Sequence, residues 1–399
     1  MTLSKRERVI RTLELEEVDK IPIHYLGFEP TGTTYQTYRN SDEYKNLETK
    51  DKWIRSISQF RFFNSDCINR DPFVKMKPSS RYIKFGSSSD YSDIQIGDLV
   101  DYRNLKNGEY IINTKNGKIQ KVIPHSKTNL LYVWYYDGSF RNTEFINYCW
   151  ENFGKPTDFL NDDTNYNSQI WSDYVECLSQ YVYPMGTVMG FAMFESLFEG
   201  MTAGRMAYFM RKNPKLIHEV MREYTNTNLE IIKRLSEAGV DINFYYDDLG
   251  QKQRSILSLK NFREFILPYY KELYQESKKR GMFFIQHSCG YIDKFLPDMV
   301  DAGLNCIQAL EPAAGTDLAH LKETLGDKLS FMGGMDSSGT LNFGTPEDIE
   351  KDVKKCIKSA AQGGGYFAGP SHNILDVPWE NLMALRSSIE KYRQYPSNF

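Results

Sequence analysis

The sequence lacks a strong excess of charge of either sign. Among its 399 residues, 49 Lys and Arg stand against 52 Asp and Glu, which leaves a net charge of −3. Proteins that bind nucleic acid usually carry a basic arm or patch, and no run of Lys or Arg resembles one here. We therefore expect no nucleic-acid partner.

Long apolar runs and closely spaced cysteines are also missing. No stretch reaches the roughly 20 apolar residues of a transmembrane helix, and residues 1–20 are charged, without the apolar segment of a signal peptide. The six cysteines are too scattered for a disulfide-stapled secreted domain. These absences predict a cytoplasmic protein with reduced thiols and no membrane partner.

From about residue 182 onward, short β-branched or aromatic runs alternate with amphipathic helical stretches. This alternation is typical of βα units around a parallel sheet. Together with two earlier runs, it predicts eight strands, which in chain order are Ile21–Leu26, Phe62–Asn69, Tyr183–Phe191, Val240–Tyr246, Met282–His287, Leu304–Leu310, Leu329–Gly333 and Gly365–Gly369. The predicted fold class is therefore α/β, a (β/α)8 TIM barrel that forms a single domain over residues 1–399.

The pattern changes between residues 71 and 180. Two alternating runs within Tyr110–Ile123 flank Asn116-Gly117, and an Asn-Gly pair in this position predicts a β-hairpin. We interpret 71–180 as a segment inserted in the N-terminal half of the barrel, forming a lid over one barrel end. The segment contains an aromatic cluster of Tyr132, Trp134, Tyr135 and Tyr136. These side chains could line a pocket for an aromatic substrate or could form part of the core.

Side chains that commonly bind metals follow three of the predicted strands. His287 and Cys289 stand at the end of the fifth strand, Glu311 follows the sixth, and His372 follows the eighth. The carboxyl ends of barrel strands meet at one face, and imidazole, thiolate and carboxylate suit tetrahedral zinc. The coincidence of these residues favours a zinc site.

Each of these residues also has a structural explanation. An isolated His-x-Cys is more often a buried histidine beside a small buried thiol. Glu311 could stabilise the start of a following helix through the helix dipole, and His372 could form a hydrogen bond where a helix begins. Metal-free binding by a degenerate barrel therefore stays an alternative.

Three further residues are candidates for catalysis. Asp248 follows the fourth strand and could donate a proton, support a zinc-bound histidine or anchor substrate. Its neighbour Asp247 is as readily part of a solvated turn. His24, in the first strand, and Glu195, after the third, could face the substrate or pack beneath the lid.

Several segments resemble the uroporphyrinogen decarboxylase superfamily, densely from about 182 to 395. They are Arg6–Leu13 with Glu17–Pro22, Tyr246–Gly250, His287–Gly290, Gly333–Asp336, Gly363–Ile374 and Val377–Leu382. The decarboxylase itself carries Arg-Gln-Ala-Gly-Arg-Tyr after its first strand, where this chain has His24-Tyr-Leu-Gly-Phe-Glu29. Because a polycarboxylate such as a porphyrinogen needs cationic partners, this departure disfavours porphyrinogen decarboxylation.

The His-x-Cys turn instead resembles the zinc-dependent, corrinoid-linked methyltransferase branch. It is also similar to cobalamin-independent methionine synthase, whose zinc ligands are a His-x-Cys pair, a Glu on the next strand and a Cys on the last. His287, Cys289 and Glu311 match by type and order, and His372 is the expected substitute for the last Cys. The resemblance implies Zn²⁺ as a cofactor.

One thiolate ligand leaves more positive charge on zinc than two, which suits polarisation of an ether oxygen. Together with the resemblance, this implies methyl transfer from a small methoxylated substrate, an aromatic one included, to the cobalt of a corrinoid protein. That protein must be a separate partner, because the corrinoid-binding motif Asp-x-His-x-x-Gly does not occur. The alternatives are a methylcorrinoid:thiol methyltransferase and a decarboxylase-like lyase, and the oligomeric state, a homodimer included, is open.

Overall fold

A computed structural model describes residues 2–46, 51–72, 82–85, 109–124, 126–128, 131–160, 166–187 and 190–394. Its helices are α1 (Lys5–Leu13), α2 (Thr33–Asn40), α3 (Asp42–Lys45), α4 (Lys52–Ser56), α5 (Ser58–Phe62), α6 (Thr143–Phe153), α7 (Ser168–Leu178), α8 (Met193–Lys212), α9 (Pro214–Glu237), α10 (Leu259–Phe265), α11 (Leu267–Lys279), α12 (Leu296–Ala302), α13 (Leu318–Leu325), α14 (Thr340–Phe343), α15 (Pro346–Ala360) and α16 (Trp379–Tyr392). Its strands are β1 (Cys67–Ile68), β2 (Tyr82–Phe85), β3 (Glu109–Asn113), β4 (Lys118–Pro124), β5 (Leu131–Gly138), β6 (Tyr183–Pro184), β7 (Gly186–Thr187), β8 (Ile242–Tyr246), β9 (Gly250–Gln251), β10 (Arg254–Ser255), β11 (Phe283–His287), β12 (Cys306–Ala309), β13 (Ser330–Gly333) and β14 (Tyr366–Phe367).

The chain divides into two compact units. The first comprises residues 1–74, 165–189 and 229–399, and the second comprises residues 75–164 and 190–228. None of the helices in the described ranges has both the length and the apolar character needed to cross a membrane.

The first unit is a closed barrel of parallel strands. Strands β7, β8, β11, β12, β13 and β14 pair in that order, and β1 pairs with β6. The first predicted strand closes the circle, because Ile23 forms a bridge with Ala368 beyond β14 and His24 forms one with Cys67 of β1. The predicted (β/α)8 barrel is thereby confirmed.

The barrel strands are apolar because both of their faces are covered. Side chains from successive strands form one buried cluster, and Val9 and Leu13 of α1 join it. The other members of the cluster are Leu26, Cys67, Tyr183, Met185, Ile242, Phe244, Ile285, Cys306, Met332 and Phe367. Helix α1 is positioned by a capping box in which Ser4 accepts the Glu7 amide and Glu7 accepts the Ser4 amide.

A buried ion-pair network joins both ends of the chain to the second barrel strand. Asp66, just before β1, accepts hydrogen bonds from Arg8 at 2.5 Å and from Arg393, and it also accepts the backbone amide of Ile23 at 2.8 Å. Arg8, Asp66 and Arg393 are almost fully buried. Removing one partner from such a group leaves an uncompensated buried charge, so the network strongly favours this arrangement of the termini.

The second and third predicted strands are much shorter than expected. Within Phe62–Asn69 only β1 is extended, because α5 runs to Phe62 and Asn64 then takes a positive φ of 52° that turns the chain. Tyr183–Phe191 contains β6 and β7, its residues 188–189 lie outside the described part, and α8 begins at Met193.

The second unit contains an antiparallel sheet in the order β2, β3, β4, β5. The predicted hairpin is present as β3 and β4, and its turn includes Gly117 at a φ of +75°. Gly200 of α8 lies against this turn, since a Cβ there would be 1.9 Å from the carbonyl oxygen of Asn116. Residues 73–81 and 86–108 of the expected insertion lie outside the described ranges, and the lid interpretation of 71–180 stays a prediction.

Candidate metal centre

Three side chains with metal-binding atoms converge at the carboxyl end of the barrel strands. His287 ends β11, Cys289 follows two residues later, and His372 lies beyond β14. One ligand atom from each lies within 4.8 Å of the others. The sequence predicted that these residues would share one face of the barrel, and the structure brings all three together.

The orientation of His287 is fixed by a residue on the neighbouring strand. Its Nδ1 is hydrogen-bonded to Oε1 of Gln308 in β12, while the Gln308 Nε2 donates to the carbonyl oxygen of Ser371 at 3.2 Å. An amide oxygen only accepts, so Nδ1 of the imidazole must carry a proton. The other ring nitrogen, Nε2, faces Sγ of Cys289 at 3.2 Å.

Asp248 lies beside this pair rather than in a detached turn. Its Oδ1 accepts the backbone amide of Cys289 at 2.8 Å and is 3.5 Å from Nε2 of His287. The Asp248 side chain is 36% exposed, so it can reach both the metal ligands and solvent. Asp247 differs, because it is fully buried and accepts the Tyr270 hydroxyl at 2.7 Å.

Glu311 follows β12, as predicted, and holds the turn that carries Cys289. Its Oε1 accepts the backbone amide of Gly290 at 2.8 Å. The group of mutually close ligand atoms consists of His287, Cys289 and His372 without Glu311. A role of Glu311 as a zinc ligand stays a prediction.

His372, the third candidate ligand, contacts the loop after β13 as well as His287. Its backbone amide donates to Oγ of Ser337 at 3.0 Å, and its ring centroid is 6.1 Å from that of His287. Burial, followed by the nearby His287, lowers the pKa of His372. Two imidazoles and a cysteine thiolate are suitable ligands for Zn²⁺, so the donor chemistry and the orientation of His287 are compatible with the expected ion.

His24 is linked to the same group through two hydrogen bonds and a contact between aromatic rings. Its Nε2 is 2.9 Å from Oδ1 of Asn69, and Nδ2 of Asn69 donates to the Tyr246 hydroxyl. The Tyr246 ring in turn lies 5.0 Å from the ring of His287. Burial lowers the pKa of His24 to about 4, and its Nδ1 has no hydrogen-bond partner among the described residues.

Two other sequence-based candidates lie in the second unit. Glu195 is in the first turn of α8. In the aromatic cluster, Trp134 and Tyr136 are 64% and 47% exposed, so neither is a core residue, and the side chain of Tyr132 is outside the described part.

Gln308, Asn69 and Tyr246 were not among the sequence-based site residues. Gln308 is a fully buried amide in an otherwise apolar strand. An amide is rarely placed in an apolar core without a hydrogen-bond partner. A glutamine within an apolar predicted strand could therefore have indicated Gln308 as a site residue. Asn69 and Tyr246 carried a weaker signal, since each is a polar residue at the end of a predicted strand.

Comparisons with known proteins agree with this architecture. The family model described as "Uroporphyrinogen decarboxylase (URO-D)" matches residues 161–392. Among curated proteins, a uroporphyrinogen decarboxylase from Pelodictyon phaeoclathratiforme is 27% identical over 221 residues, which cover 52% of this chain and 60% of that protein. A methylated-thiol–coenzyme M methyltransferase from Methanosarcina mazei is 26% identical over 179 residues, covering 45% of this chain and 46% of the relative.

These matches span about half the length of the curated relatives, which are enzymes of two kinds. Among solved structures, a methyltransferase from Methanosarcina mazei superposes with a TM-score of 0.62 at 15% identity, covering 98% of this chain and 99% of that one. At that level of identity the likeness concerns the fold.

Proposed function

The chain belongs to the uroporphyrinogen decarboxylase family, and from that premise we propose that it is a zinc-dependent methyltransferase. The proposed reaction moves a methyl group from a small methoxylated substrate to the cobalt of a separate corrinoid protein. The observation that carries this proposal is the convergence of His287, Cys289 and His372 within 4.8 Å at the barrel end where active sites of this fold lie.

His287, Cys289 and His372 are the proposed zinc ligands, with Glu311 as a further one that substrate could replace. Zinc at this position would supply Lewis acidity toward an ether oxygen. Gln308 accepts the Nδ1 proton of His287 and so directs Nε2 at Cys289, while Asp248 accepts the backbone amide of Cys289. These contacts hold the donor atoms in place before any ion or substrate arrives, which reduces the cost of ordering them.

Demethylation breaks the methyl carbon–oxygen bond, whose electron pair stays on oxygen, while the two electrons of Co(I) form the new carbon–cobalt bond. The departing oxygen needs a proton, and Asp248 is the proposed donor because it is partly exposed and adjoins Nε2 of His287. For His24, the hydrogen bonds through Asn69 to Tyr246 support a positioning role. Glu195 stays a proposed substrate contact.

Methyl transfer that involves a thiol is the second candidate. The similarity to a methanogen enzyme named for methylated thiols favours it. Against it stands the single thiolate among the converging ligands, since a second thiolate would lower the charge on zinc and suit thiol activation better.

A methyl-donor panel with a reduced corrinoid protein tests the proposal. The full chain, loaded with zinc, would be mixed with Co(I) corrinoid protein and either aryl and alkyl methyl ethers or methyl thioethers, and the methyl-Co(III) spectrum followed. We expect a methyl ether to react, and the reaction to disappear with the Cys289→Ser variant but not with Cys177→Ser. Turnover of thioethers alone would favour the second candidate, and CO2 release without corrinoid would contradict both.

A further inference from the structure

A cavity in the first unit, separate from the three converging ligands, is lined by cations. It encloses about 390 Å³. Its basic side chains are Arg39, Lys52, Arg55 and Arg70. None of the described residues that line it is Asp or Glu.

The cavity wall comes from segments that follow the first two barrel strands. Arg39 lies on α2, Lys52 and Arg55 lie on α4, and Arg70 comes two residues after β1. These segments leave the carboxyl ends of the strands, which is where barrels bind their ligands. Arg70 also follows Asn69, the residue that links His24 to Tyr246.

Arg70 occupies a space that the backbone leaves open for it. Gly27 has a φ of +114°, and a Cβ there would lie 2.8 Å from Nη2 of Arg70 and 2.9 Å from Oε1 of Gln59. That Gln59 oxygen is held by the backbone amide of Phe28 at 2.7 Å. The hydrogen bond from Arg70 to the carbonyl oxygen of Leu26 is long, at 3.5 Å, so most guanidinium donors are not used by strong protein contacts.

Arg39 is held by aromatic rings instead of by a carboxylate. Its guanidinium carbon lies 4.3 Å from the ring centroid of Tyr44 and 5.9 Å from that of Tyr35. A hydrogen bond with Tyr35 raises the pKa of Arg39, which keeps the group charged. Stacking on the faces of tyrosines leaves in-plane N–H donors of a guanidinium for a ligand.

We propose that this cavity binds a small organic anion with at least two negative charges, carried by phosphate or carboxylate groups. Arg39, Lys52 and Arg70 carry like charges around one cavity, and an anion relieves their mutual repulsion. Planar guanidinium groups match carboxylate and phosphate oxygens in pairs, and the volume falls in the usual range for small-molecule sites of about 300–1,000 Å³. The proposal does not rest on methyl transfer.

Calorimetric titration of the full chain at low ionic strength tests this site. Inorganic phosphate and citrate are the probes, with chloride as the monovalent reference. We expect saturable binding of one dianion or trianion per chain, and the tighter of the two probes identifies phosphate or carboxylate as the preferred group. Binding that does not saturate, or that chloride matches, would overturn the proposal.

Variants that remove single charges locate the binding. Arg39→Gln and Arg70→Gln should each weaken binding about tenfold, which corresponds to the loss of one charge-assisted contact. Arg11→Gln is the matched control, because Arg11 is half-exposed on α1 with its carboxylate partner 3.8 Å away, and it should bind normally. Equal affinities in all three variants would mean that an adventitious ion binds elsewhere.

Two further variants separate this site from other effects. Gly27→Ala should also weaken anion binding by displacing Arg70, and if it does not fold, the exposed Arg39 still decides the question. Cys289→Ser should bind the anion as tightly as the unaltered protein, so failure of the zinc proposal would leave this one intact. Loss of anion binding in Cys289→Ser would contradict an independent cavity.

Discussion

The candidate metal centre and the cationic cavity are built in opposite ways. In the first, donor atoms from β11 and the turn after it are held by hydrogen bonds from buried neighbours such as Gln308. In the second, charges such as Arg39 lie exposed on short helices and rest against aromatic rings. Donor atoms held by hydrogen bonds suit an ion that needs fixed geometry, whereas a group of exposed cations suits an anion attracted by charge.

The largest expected effect comes from removing the thiol of the metal centre. Cys289→Ala should lose stoichiometric zinc, with affinity falling at least about 100-fold, because a structural or catalytic zinc site needs each of its few protein ligands. Metal analysis after dialysis measures this loss, and Cys177→Ala, which alters a thiol elsewhere, should change nothing. Full zinc content in Cys289→Ala would refute the ligand assignment.

The barrel was the part of the molecule best predicted from sequence. Apolar runs such as Ile242–Tyr246 identify strands because both faces of a parallel strand are buried. The second strand was predicted too long, since Asn64 can take a left-handed conformation that no periodicity reveals. Among the site residues, His287 and Cys289 could be predicted from sequence because they are two positions apart at the end of one strand.

The residues that sequence reasoning missed depend on contacts between distant segments. From sequence, Gln308 is predicted only to lie in a strand. The pairing of β12 with β11 in the structure places its amide against His287. Arg39, Arg55 and Arg70 are far apart in the chain, so no sequence motif predicts that they line one cavity. The absence, at residues 24–29, of the arginines that the decarboxylase carries therefore does not by itself exclude an anionic ligand.

A second prediction asks whether hydrogen bonds really hold the metal centre. Gln308→Leu should weaken zinc binding about 10- to 100-fold, since partners that orient a ligating histidine typically have effects of this size. The fold should survive, because leucine fills a similar volume. Zinc affinity from competition with a chelator provides the measurement.

Gln286→Leu is the matched control for this change. Gln286 is equally buried on β11, but its Oε1 accepts the Tyr274 hydroxyl at 2.5 Å instead of a proton from the His287 ring. It should lower stability without changing zinc affinity, whereas Gln308→Glu, which keeps an acceptor for Nδ1, should restore affinity. Equal zinc affinities in the two leucine variants would mean that Gln308 has no positioning role.

A third prediction concerns Asp248, which adjoins the metal centre but is partly exposed. Asp248→Asn keeps an oxygen that can accept the Cys289 amide, so metal content should be unchanged. If Asp248 donates the proton, methyl-cobalt formation should slow about 100-fold or more, because proton transfer by a positioned side chain contributes about 10²- to 10⁴-fold. A rate like that of the unaltered protein would leave Asp248 with a structural role only.

The smallest effect is expected at the cationic cavity, from a change that keeps its charge. Arg39→Lys retains a cation but loses the planar donor pair stacked on Tyr44, so citrate binding should weaken only about two- to fivefold, less than in Arg39→Gln. Raising salt from about 0.05 M to about 0.5 M should weaken anion binding in both proteins, since the exposed charges are screened. Zinc bound at the buried centre should resist the same salt. If salt weakened zinc binding and anion binding alike, the contrast between the candidate metal centre and the cationic cavity would be wrong.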